Sequence, residues 1–188
     1  KYFPFPAQEA TFDIAPIVHP ADGGDDQIHA VVAACRLRPL EVLLGVAEKL
    51  GLEVEAVEPS MFALFRCLQG PQMPPEEGNL YVMAGAHTSL LVVAYRDNGI
   101  LYRSIAHGFE NRTPDEGMLQ SFAREVYSTA NFAHSQFRNL PIQRIYLGGY
   151  GLRYADLLRE AIGGMIGVPR ELVDPWALWR VQRAPEEP

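Results

Sequence analysis

Three apolar runs follow one another almost without pause between Asn79 and Ile105, and this succession narrows the fold more than any other feature of the chain. Asn79 to Gly85, Thr88 to Tyr95 and Ile100 to Ile105 are each of strand length and rich in Leu, Val and Ile. Only Ala86-His87 and Asp97-Asn98-Gly99 separate them, and Arg-Asp-Asn-Gly is a hairpin signal because Asn-Gly accepts the positive φ of a tight turn. A long amphipathic helix is predicted next, over Asp115 to Arg138. Its stripe is Met118, Leu119, Phe122, Val126, Ala130, Ala133 and Phe137. Ile142 to Leu147 reads as a further strand, running into Gly148-Gly149-Tyr150-Gly151 and then a helix from about Tyr154 to Ile166. Hairpin strands followed by helix, strand and helix predict an α/β fold with a mixed sheet flanked by helices. The tail from Pro169 is expected to be partly loop.

Upstream lies a different unit. Gly70 to Gly78 (GPQMPPEEG) is dense in proline and glycine and marks a linker. The expected organisation is a small α/β subdomain over 1–70, a linker over 71–78 and a larger subdomain over 79–188. Thr11 to Val18 reads as a short strand that Pro16 confines to an edge. Ile28 to Arg36 reads as a buried strand. Pro39 suits the first turn of a helix carrying Leu40, Leu43, Ala47 and Leu50, which Gly51 closes. Leu52 to Val57 alternates apolar and polar residues, the strand period. Ser60 caps a short helix through Leu68.

Composition excludes several classes. A formal charge of −7 speaks against nucleic-acid binding and against a polybasic membrane-binding face, since both need clustered Lys and Arg. No apolar run reaches the length of a membrane span, and the opening KYFPFPAQEA lacks the apolar core of a signal peptide. Because the sequence opens on Lys1 and not Met, the natural start is expected to lie elsewhere. Cys35 and Cys67 are far apart and each lies in an apolar stretch, so two reduced core thiols are expected, in a reducing compartment.

The stretch from Asn79 to Gly108 resembles the second phosphate-loop hairpin of the actin-like, ribonuclease-H-like superfamily, and within it the type IV pilus assembly proteins of the PilM family. In that family a strand ends in an Asp-x-Gly-x-x-x-Thr/Ser turn. Here Gly85 and Thr88-Ser89 occupy the turn, and Ser104 to Gly108 the exit of the third strand. Pro4-Phe5-Pro6, Glu9 and Asp13 resemble the start of the family's small inserted subdomain, Ala33 to Leu52 its strand and helix, and Glu58 to Leu64 the segment before the second domain. Leu147-Gly148-Gly149-Tyr150-Gly151 resembles the glycine loop on the adenosine side. The cytoplasmic domain of the type II secretion protein GspL shares the architecture. The resemblance implies a non-catalytic cytoplasmic scaffold, peripheral to the inner membrane. It would take the short cytoplasmic tail of a bitopic PilN-like protein near Thr11–Val18 and Ile28–Arg36, or engage a secretion ATPase; a homodimer is compatible with it. Direct membrane insertion is not implied. An actin-like ATPase or sugar-kinase-like fragment is the competing reading.

Two departures from the family pattern bear on cofactors. The carboxylate of the hairpin turn falls on Met83 or, with a one-residue slip, Ala84, and neither can hold a metal ion through hard oxygen. The first phosphate loop is missing. ATP with magnesium is therefore expected to bind poorly or not at all.

Other candidates are weighed against plainer roles. Gly148-Gly149-Tyr150-Gly151 would let a backbone approach a nucleotide, but a strand-to-helix turn needs glycine for sterics alone. A hydrolase would use Ser89 or Ser104 with His87 or His107, yet nothing supplies an orienting carboxylate. His19, His29 and His134 show no metal-ligand spacing. Asp25-Asp26 and Glu76-Glu77 read as solvated loop charges, and Trp176 and Trp179 as packing residues over a sheet edge.

Overall fold

The computed structural model describes residues 4–20, 28–69, 78–110, 113–137 and 140–179. The described residues fall into two compact units, one within Lys1–Ile17 and Asp26–Ser60, the other within Val18–Asp25 and Met61–Pro188.

In the first unit, β1 (Ala10–Pro16) pairs antiparallel with β2 (Ala30–Arg36), from Ala10 opposite Arg36 to Pro16 opposite Ala30. Two strands make two edges, so Pro16 costs no interior ladder bond. α1 (Leu37–Lys49) follows β2 directly, with Pro39 in its first turn, where an amide donor has no helical acceptor. Gly51 closes the helix at φ +68°, and the Leu52 amide donates to the Ala47 carbonyl at 2.9 Å. Neither strand nor α1 buries a residue fully. The expectation of a buried strand over Ile28–Arg36 is thus corrected. β2 is exposed or half-buried because a two-stranded sheet gives it one neighbour and no covered face. The strand expected over Leu52–Val57 also does not form among the described residues.

The second unit is built on a five-stranded mixed sheet of order β5-β4-β3-β6-β7. Its strands are β3 (Gly78–Met83), β4 (Ser89–Tyr95), β5 (Asn98–Ile105), β6 (Ile142–Gly148) and β7 (Arg170–Leu172). β3, β4 and β5 are antiparallel neighbours, while β6 lies parallel to β3 and β7 parallel to β6. One face carries α3 (Glu116–Gln136) and α4 (Ala155–Gly163), over a core of Leu80, Val82, Leu91, Phe122, Val126, Ile145 and Leu158. The other face carries α2 (Ser60–Gln69), with Phe65 and Leu68 packed on Tyr81, Val92 and Tyr146. β3 and β4 read as continuous apolar runs because they are covered on both faces.

Three further expectations are corrected. The domain boundary expected at residue 70 falls between Ser60 and Met61, at the start of α2, because Phe65 and Leu68 are core residues of the second unit. The hairpin turn is Arg96-Asp97, with Arg96 at φ +55°, while Asn98 already pairs with Tyr95. Gly99 sits beside the register shift at Val93/Ala94, where an added Cβ would come 2.2 Å from the Tyr102 hydroxyl. Cys35 and Cys67 are exposed free thiols. Cys67 lies on the side of α2 away from Phe65 and Leu68, and Cys35 on the thin first unit.

Candidate functional site

β3 and β6 run parallel and end together, Met83 opposite Gly148, and the turns that leave them lie side by side. The C-terminal ends of parallel strands are where open α/β sheets place ligand sites. Four segments meet there: 83–89, the exit 104–110, the glycine turn 148–151 and the N-terminal end of α3. Asp115 caps α3 by accepting the Met118 amide at 2.8 Å, which holds that end in place.

Backbone hydrogen bonds join these segments. The Ala84 amide donates to Gly148 O and the Gly151 amide to Ala84 O, both at 2.9 Å. The Phe109 and Glu110 amides donate to Gly85 O and Ala86 O, both at 3.0 Å. Ser89, buried, accepts from the Gly85 amide at 3.2 Å and donates to His107 O at 2.7 Å. Its hydroxyl closes the turn and makes no bond to an imidazole.

The glycines of the two turns, which could have let a backbone approach a nucleotide, approach other parts of the protein. A Cβ on Gly151 would lie 2.6 Å from the Ala84 Cβ, and one on Gly108 would lie 2.1 Å from Ala86 O. Gly85 lies under its own turn, where a Cβ would meet Thr88 O at 1.9 Å. Gly149 has φ +92°, a conformation that glycine adopts without strain. Close chain packing by itself accounts for each of these glycines. Thr88 is exposed at the rim.

Met83 and Ala84 point to opposite faces of the sheet. Met83 packs on the apolar cluster beneath α2, and Ala84 is buried in the cluster beneath α3 and α4. The position that holds a carboxylate in the family pattern is occupied here by a thioether in apolar surroundings. Among the described residues no three His, Cys, Asp or Glu side chains come together.

Four pairings around the site escaped the sequence. His87, 80 % exposed, has its Nδ1 3.2 Å from Glu110 Oε2. His107 Nε2 lies 3.1 Å from Ser121 Oγ, and its ring stands edge-on to Phe122. Arg103 bonds Glu125 and donates to Thr129 at 3.0 Å, pinning β5 to α3. The Arg153 guanidinium stacks 3.9 Å above the Tyr150 ring. Only the last carried a local signal, the three-residue spacing of 150 and 153. Ser104 is exposed on β5, and neither it nor Ser89 is bonded to His87 or His107 side chains. His134 bonds Leu140 O at 3.3 Å and His19 packs edge-on to Phe137, while His29 belongs to the first unit. Asp25-Asp26 and Glu76-Glu77 lie outside the described residues. Trp179 donates from Nε1 to Cys67 O at 2.9 Å, tying α5 (Pro175–Leu178) to α2, though both tryptophans stay half-exposed.

No protein-family model matches the chain, and no curated protein does. Among solved structures it is similar to a chain of the PilM–PilN type IV pilus biogenesis complex, with a TM-score of 0.72 and 20 % identity. That match covers 94 % of this chain and 60 % of the other, so the chain spans about three-fifths of the length of that neighbour. A weaker likeness, with a TM-score of 0.42 and 11 % identity over 90 % of this chain and 56 % of the other, is to a Bacteroides thetaiotaomicron protein with an actin-like ATPase fold and unknown function. Over 94 % of its length the chain therefore shares the fold of that PilM–PilN chain.

Proposed function

We propose that the chain is a non-catalytic cytoplasmic adaptor in the inner-membrane assembly platform of a type IV pilus or type II secretion system. In this reading it is peripheral to the membrane and takes the short cytoplasmic tail of a bitopic partner. The observation that carries the reading is the likeness to the PilM–PilN complex over 94 % of the chain. No helix among the described residues is long and apolar enough to cross a membrane, which is compatible with a peripheral role. Support for a role without catalysis comes from the turn at the end of β3. Met83 and Ala84 offer no hard oxygen to a divalent ion, and the side chains present do not fit a magnesium–nucleotide complex. β1 and β2 would receive the tail, since each has an open edge for an extended peptide and Phe12, Ile14 and Val32 are exposed on them.

The test uses the intact gene product. We expect it to co-purify with a bitopic inner-membrane protein whose isolated tail peptide binds it directly, and to show no thermal shift with magnesium-ATP. Tight magnesium-ATP binding together with failure to recover any such partner would overturn the reading.

A further inference from the structure

We draw no further inference here: the strongest candidate, the exposed aliphatic face of α1 formed by Val42, Leu43 and Val46 in the first unit, carries nothing because nothing in the structure shows what covers it.

Discussion

Moving one methyl group across the junction of the two turns tests whether their glycines serve packing. In Gly151→Ala the new Cβ would stand 2.6 Å from the Ala84 Cβ and 3.1 Å from Phe109 Cδ2. Overpacking of this kind costs about 1–3 kcal/mol. Gly151 is not in the left-handed region, so that cost is steric and not conformational. In Ala84→Gly a buried methyl is lost, worth about 0.8 kcal/mol, and glycine adds about 0.5–1 kcal/mol of backbone entropy. If the sites were independent the double variant would lose the sum, about 2.3–4.8 kcal/mol. Because the main clash of the first change is with the methyl that the second removes, about 1–2 kcal/mol should return, within the range of contacting pairs. The Phe109 contact persists, so recovery is partial. Urea unfolding followed by tryptophan fluorescence reads the right unit, since Trp176 and Trp179 both lie in the second. At an m-value of about 2 kcal/mol/M, recovery of about 1.5 kcal/mol places the double variant's midpoint roughly 0.7 M above the additive value. Additivity to within about 0.4 kcal/mol would refute the packing account.

Three further outcomes are expected. Phe122→Ala, which empties a fully buried site between α3 and the sheet, should cost about 3–5 kcal/mol in the same urea assay. Asp115→Ala removes the α3 cap and should cost about 1 kcal/mol, with faster amide exchange confined to Glu116–Met118. Burial pushes the Tyr102 hydroxyl up to about 12, with Arg66 partly opposing, and burial followed by Tyr146 raises Tyr81 as well. The stability linked to keeping them protonated is complete below about pH 10, where unfolded tyrosine titrates, and is lost as pH rises towards about 12. Thermal melts across that range should show the fall, and Tyr102→Phe should make it shallower.

The candidate site was only partly legible in the sequence. Gly85, Ser89, Gly148 and Gly151 were singled out by local turn chemistry, and they meet in the fold. What they touch was not legible, because Gly151 and Ala84 lie far apart in the sequence, on different strand ends of the second unit. The His87–Glu110 and His107–Ser121 pairs depend on where the exit of β5 and the start of α3 come to rest. The Asn-Gly hairpin signal pointed to the right connection and the wrong residues. The bulge at Val93/Ala94 shifts the register and moves the tight turn to Arg96-Asp97.

The sequence by itself determined the order β3, β4, β5, α3, β6 and α4 in the second unit, the stripe of α3 and the end of α1 at Gly51, but not β7 and α5, which lie in the tail expected to be partly loop. Each depends on periodicity or backbone preference within a few residues. Tertiary structure decided that α2 belongs with the sheet, that Met83 faces the apolar cluster beneath it, and that β2 and 52–57 remain uncovered. An apolar residue reveals that it favours burial, but the surface that buries it comes from distant parts of the chain.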